Sequence, residues 1–109
     1  MRTTDAYDAN PPERSHVDTL DGATLIEFGT AWCGHCQAAQ PALREALAEY
    51  PALRHLKVED GKGRPLGRSF RVTLWPTLIF FRDGAEVTRL VRPGNPEQIR
   101  QALAQLQPR

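Results

Sequence analysis

Asp83-Gly84 stands between two runs suited to a pleated, buried surface: Thr77-Leu78-Ile79-Phe80-Phe81, continued by Arg82, and Glu86-Val87-Thr88-Arg89-Leu90-Val91. Asp-Gly between such runs predicts an antiparallel hairpin, because both residues accept the positive φ of a tight loop. The rest of the chain must be arranged around that hairpin. After the turn signal Asp21-Gly22, the run Thr24-Leu25-Ile26-Glu27-Phe28 reads as a short buried strand, with Glu27 as the anomaly inside it. From Gly34 to about Tyr50, the residues Ala39, Leu43, Ala46, Leu47 and Tyr50 recur at three- and four-residue steps, the period of a helix with one buried face. Pro41 removes one backbone hydrogen bond inside it and is expected to kink the helix near its second turn; Pro51 is expected to stop it. Leu53 to Val58 reads as a second strand and Leu66 to Phe70 as a short helix. A well-marked helix closes the chain, with Asn95 as N-cap, Pro96 at its first position, Glu97 in the first turn, and Ile99, Ala102, Leu103 and Leu106 along one face. Strand, helix, strand, short helix, hairpin, helix predicts the α/β class, with a central mixed β-sheet flanked by helices.

At 109 residues the chain is the length of one domain, and a chain of this size buries enough surface for a core of its own. Residues 1–20, with Asn10-Pro11-Pro12 and few apolar side chains, read as an irregular extended arm packing through Tyr7, Val17 and Leu20; residues 21–109 read as the domain. The formal charge of +1 excludes a charged tail protein and supplies no global field for nucleic acid. That total conceals an asymmetry: residues 1–53 carry three basic and eight acidic side chains, residues 54–92 nine and four. The plain reading is solvated surface; the sharper one is a basic flank that selects acidic protein partners. The N-terminus has no apolar leader and no run long enough for a membrane span, so a cytoplasmic setting without a membrane partner is expected.

Two cysteines cannot form the framework of a small disulfide-rich domain. Their placement, in Trp32-Cys33-Gly34-His35-Cys36 between a strand and a helix, points to chemistry instead. With Cys33 at the helix N-cap and Cys36 one turn on, the Cβ atoms are about 5–6 Å apart before adjustment. A modest rotation brings them to the roughly 3.5–4.5 Å of a disulfide. Cys33 then faces the unpaired N–H groups and positive end of the helix, with His35 as a second possible positive group, and both favour a thiolate. Cys33 is therefore the expected nucleophile and Cys36, set deeper, the resolving thiol, while Gly34 leaves the approach to Cys33 open. The rival reading is half a zinc site; its other ligands could come only from His16, His35 and His55, which lack ligand spacing, so no metal is expected. His16 and His55 are read as solvated or partly packed. The segment Gly63 to Ser69 is one residue short of a phosphate loop and has Arg in place of its lysine, so it is read as a connection.

The strand, Trp-Cys-Gly-His-Cys, the helix with Pro41, the next strand, Trp75-Pro76-Thr77 and the hairpin together resemble the thioredoxin family over roughly Gly22 to Leu106. Gly-His between the cysteines is similar to the catalytic domains of protein disulfide isomerases, whereas thioredoxins typically carry Gly-Pro. The resemblance implies that Pro76 is the cis-proline beside the active site, that Pro41 is the helix-kinking proline, and that Glu27 is the buried acid under the resolving cysteine. Such a carboxyl, its pKa raised by desolvation, would take the Cys36 proton through water. The alternative for Glu27 is an edge-strand residue facing solvent. Departures fall around the groove: Gly29 where thioredoxins usually have an aromatic residue, Trp75 before the proline, and Val91-Arg92 where a glycine is frequent. A groove of Trp32, Trp75, Pro76 and Arg92 implies more aromatic surface and a fixed positive charge. The arm lacks an obvious first strand and helix, so a shortened N-terminal region is expected.

The function implied is that of a thiol–disulfide oxidoreductase cycling through a Cys33–Cys36 disulfide, without a cofactor. A histidine between the cysteines stabilises the reduced form and makes the pair more oxidising, but a cytoplasmic setting favours a reductase; isomerase or oxidase activity stays open. Expected partners are disulfide-containing proteins and a reductase or other thiol donor, with the chain acting as a monomer. The alternative from another class is a binding module whose cysteines act as a redox switch.

Overall fold

The hairpin forms as predicted. In the computed structural model, which describes residues 6–106, β3 (Thr77–Arg82) and β4 (Ala85–Val91) pair antiparallel. Asp83 and Gly84 turn the chain at φ of 52° and 80°. The turn is tied to the start of the first strand: the Gly22 N–H donates to the Asp83 carboxylate at 2.7 Å and the Asp83 N–H to the Gly22 carbonyl at 2.9 Å.

That first strand, β1 (Ala23–Gly29), lies inside the sheet, antiparallel to β3 on one side and parallel to β2 (Arg54–Glu59) on the other. The strand order is therefore β2-β1-β3-β4, and the mixed sheet is the predicted one. Helix α2 (Gly34–Leu47) makes the crossover that a parallel pair requires. It continues through Pro41 but ends short of the predicted Tyr50. Pro51 has no N–H to donate to the Leu47 carbonyl, which instead accepts the Tyr50 N–H at 2.9 Å in a turn.

Both faces of the sheet are covered, which explains the near-continuous apolar runs of β1 and β3. On one face, α2 and α4 (Pro96–Ala104) pack Ala39, Leu43, Ala46, Ile99, Ala102, Leu103 and the following Leu106 against Leu25, Leu78 and Phe80. The Asn95 side chain caps α4 by accepting the Gln98 N–H at 3.0 Å, as its position predicts. On the other face, Ile26, Phe28, Ile79 and Phe81 pack with Val58, Val17, Leu66 and Phe70.

The N-terminal segment corrects the expectation of an irregular arm, of which residues 1–5 lie outside the described residues, as do residues 107–109 of the expected domain. Arg14–Val17 form one helical turn, α1, and Val17 is fully buried. Arg14 pairs with Asp18 at 2.9 Å and stacks its guanidinium 3.9 Å from the Phe70 ring centroid. Asp8 bridges the outer edge of β2, its N–H donating to the Lys57 carbonyl at 2.8 Å and its carbonyl accepting the Glu59 N–H at 3.0 Å. One turn with a single buried residue has no periodicity to read, so tertiary packing decides it. A single bridge and one turn precede β1 among the described residues. The short helix predicted at Leu66–Phe70 is α3 (Pro65–Ser69).

Candidate active site

Cys33 is the N-cap of α2, with extended backbone (φ −81°, ψ 121°), and its Sγ accepts the Cys36 N–H at 3.2 Å. The sulfur thus occupies the place of a capping oxygen and satisfies a helix-end donor that would otherwise lack an intrahelical partner. Both cysteines are free thiols, but unequally placed: Cys33 is 8% exposed and Cys36 1%. The Cys36 thiol is pushed up to about 12, first by burial and then by its hydrogen bond with Cys33. His35 is exposed, and a Cβ built on Gly34 meets nothing within 4 Å, so the space beside Cys33 is open.

Glu27 is fully buried in the central strand β1, not at an edge facing solvent. It lies at the centre of a polar cluster. The Tyr7 hydroxyl and the Gln40 Nε2 each donate to its Oε2 at 2.8 Å, and the His55 Nε2 lies 3.0 Å from its Oε1. Gln40 also donates to the Cys36 carbonyl at 2.9 Å and accepts from the Lys57 Nζ at 3.2 Å. Burial pushes the Glu27 carboxyl up, but hydrogen bonds from His55 and Gln40 and the charges of His55 and Lys57 outweigh it and hold the pKa below the usual carboxylate value. This corrects the expectation of a raised pKa: desolvation is present, and the donors around the carboxylate win. Glu27 is therefore ionised near neutral pH.

His55 is likewise a correction, since it is buried and paired with Glu27 where a solvated or partly packed residue was expected. His55, Lys57, Gln40 and Tyr7 were not singled out by sequence reasoning as parts of the site. The available signal was polar residues at alternate positions of β2. Parallel register sets Lys57 beside Glu27 and His55 beside Leu25.

On the surface, Trp32 is 75% exposed and meets Trp75 edge-on, with ring centroids 5.7 Å apart. The Trp75 indole N–H donates to the Asp60 carboxylate at 2.9 Å, and the Trp75–Pro76 peptide is cis. Asp60 reaches this position because Gly67 beside it has no side chain; a Cβ there would collide with the Asp60 carboxyl. Arg92, at φ 52°, donates from Nε to the Trp75 carbonyl at 2.7 Å and from its N–H to the Pro76 carbonyl at 3.0 Å. Trp32, Trp75 and Arg92 thus form one connected surface that starts at the residue before Cys33, while Pro76, expected in the groove, is buried beneath it.

A mixed four-stranded sheet between helices, with a Cys-x-x-Cys pair capping the helix after the central strand, defines the class of thioredoxin-fold thiol–disulfide oxidoreductases. The family model for thioredoxin matches residues 12–105, and the chain belongs to the thioredoxin family. It is 44% identical to a thioredoxin of Chlamydia trachomatis over 81 residues, covering 72% of this chain and 78% of that one. It is also 44% identical, over 66 residues, to protein disulfide-isomerase A2 of Homo sapiens, covering 57% of this chain and 13% of that one. The reduced form of thioredoxin 2 from Pseudomonas aeruginosa superposes with a TM-score of 0.85 at 57% identity, covering 97% of this chain and 96% of that one. The protein is a thiol–disulfide oxidoreductase, and its family implies disulfide substrates and a reductase partner. Among the described residues, no helix is long and apolar enough to cross a membrane.

Proposed function

We propose that the chain is a monomeric cytoplasmic reductase of protein disulfides in which Cys33 attacks, Cys36 resolves and Glu27 accepts the Cys36 proton. The observation that carries this reading is the helix cap: the Cys33 sulfur accepts the Cys36 N–H, while the more deeply buried Cys36 is linked through Gln40 to the Glu27 carboxylate. That N–H fixes the Cys33 sulfur as the capping acceptor at the N-terminal end of α2. Cys33 sulfur bonds to one substrate sulfur as the substrate disulfide breaks, and the other substrate sulfur leaves with the electron pair and takes up a proton. Covalent capture then removes two of the influences that suppress the Cys36 thiolate, its hydrogen bond to Cys33 and the Cys33 charge. Cys36, with its proton passed to Glu27, attacks the Cys33 sulfur; the Cys33–Cys36 bond forms and the substrate leaves reduced by two electrons. A reductase or other thiol donor returns those electrons.

The surface of Trp32, Trp75 and Arg92, over the buried Pro76, supplies stacking area and one positive charge for an extended substrate segment. Insulin reduction with dithiothreitol tests the class, with Cys33→Ser as the control: activity well above the control is expected, and activity equal to it would overturn the reading. Trapping with Cys36→Ser is expected to capture many proteins as mixed disulfides. Capture of one or none would favour a dedicated binding module.

A further inference from the structure

We propose that the Tyr7 hydroxyl, carried by the N-terminal segment, is the relay through which the Cys36 proton reaches Glu27. The inference rests on Glu27 being the acceptor and identifies the group that links it to the thiol. The Tyr7 hydroxyl donates to Glu27 Oε2 at 2.8 Å. A Cβ built on Gly29 would lie 2.5 Å from the Cys36 Sγ and 3.2 Å from the Tyr7 hydroxyl, so both atoms border the space that a Gly29 side chain would fill. The phenol therefore bonds the carboxylate and borders the same space as the thiol, on the path for which a water was expected.

Tyr7 is held there from two sides. The next residue, Asp8, is hydrogen-bonded through its main chain to Lys57 and Glu59 of β2, and the Lys57 Nζ lies 4.6 Å from the Tyr7 ring centroid. The groups facing the relay are Glu27 from β1, His55 and Lys57 from β2, and Gln40, Cys33 and Cys36 from α2 and its cap. Burial and the Glu27 charge push the Tyr7 phenol above its ordinary pKa, so it conducts without ionising. The Cys36 S–H gives its proton to the Tyr7 oxygen as the Tyr7 O–H gives its own to Glu27 Oε2. Tyr7 ends neutral, Glu27 becomes neutral, and the Cys36 sulfur closes on Cys33 as the substrate sulfur leaves with the electron pair.

Stopped-flow reaction of the reduced protein with Ellman's disulfide separates the steps: the first thionitrobenzoate released reports attack by Cys33, the second resolution by Cys36. Tyr7→Phe and Glu27→Gln are each expected to slow the second release about 10-fold or more, and the double variant no further than the slower single one. In mixtures of H2O and D2O, the wild-type second-step rate is expected to curve with deuterium fraction, as two moving protons require, and that of Tyr7→Phe to lose the curvature. A merely structural role for Tyr7 would not move that readout. A second release within twofold of wild type in Tyr7→Phe, with Glu27→Gln slow, overturns the relay and leaves the acceptor standing. If Glu27→Gln is not slow, the acceptor reading falls and the relay with it.

Discussion

Replacing His55 with leucine tests the physical account of the buried carboxylate. His55 is the side chain that most strongly holds the Glu27 pKa down; its Nε2 is 3.0 Å from Oε1, with side-chain exposures of 4% and 0%. Leucine fills most of the imidazole volume, so the loss is chiefly one hydrogen bond to a charged, buried group, about 2 kcal/mol. At an unfolding entropy of about 2.1 cal/mol/K per residue, that lowers Tm by roughly 9 °C at pH 7. The sign with pH follows from the direction of the shift. A carboxyl held low in the folded state stabilises fully above its ordinary value of 4.5, and the contribution is lost as pH falls through the lower folded value. Calorimetry at neutral pH and again at about pH 3 should therefore show the gap between wild type and His55→Leu shrinking in acid. A gap of equal size at both pH values would mean that packing, not the carboxylate bond, was lost. No gap at pH 7 would refute the pairing itself.

Gly29→Ala should lower Tm by about 4–13 °C, from an overpacking cost of about 1–3 kcal/mol, because its Cβ would lie 2.5 Å from the Cys36 sulfur. The displaced thiol should also slow the second thionitrobenzoate release; an unchanged melt and rate would show that the pocket yields freely. Asn95→Ala removes the cap on the Gln98 N–H and should cost about 1 kcal/mol by urea denaturation, with insulin reduction unaltered. A midpoint identical to wild type would mean that solvent replaces the cap.

Much of the fold is legible before any coordinates. Asn95-Pro96-Glu97 marks a helix start through local hydrogen bonding, and Ile99, Ala102, Leu103 and Leu106 mark its buried face through period alone. The Asp83-Gly84 hairpin is equally local. The segment before β1 was not legible, because one turn at Arg14–Val17 gains its stability from Val17 in the core and Arg14 on Phe70. The site divides in the same way. Cys33, Cys36 and Gly34 follow from spacing at a helix start. The pairing of Glu27 with His55 follows from parallel register across a crossover, which leaves no mark in the neighbourhood of either residue.

The sequence by itself determined the α/β order, the mixed sheet and the Cys33–Cys36 pair at a helix start, because each rests on periodicity or on contacts within a few residues, whereas the buried acid came only as what the family resemblance implies. Only the tertiary structure decided the protonation state of that acid. Desolvation alone raises a buried carboxyl, and the opposite direction here comes from hydrogen bonds brought to Glu27 from positions 40 and 55 and from the charges at positions 55 and 57. Interactions between residues so distant in the chain exist only once the strands are in register, so the chemistry of Glu27 is a property of the fold and not of its sequence neighbourhood.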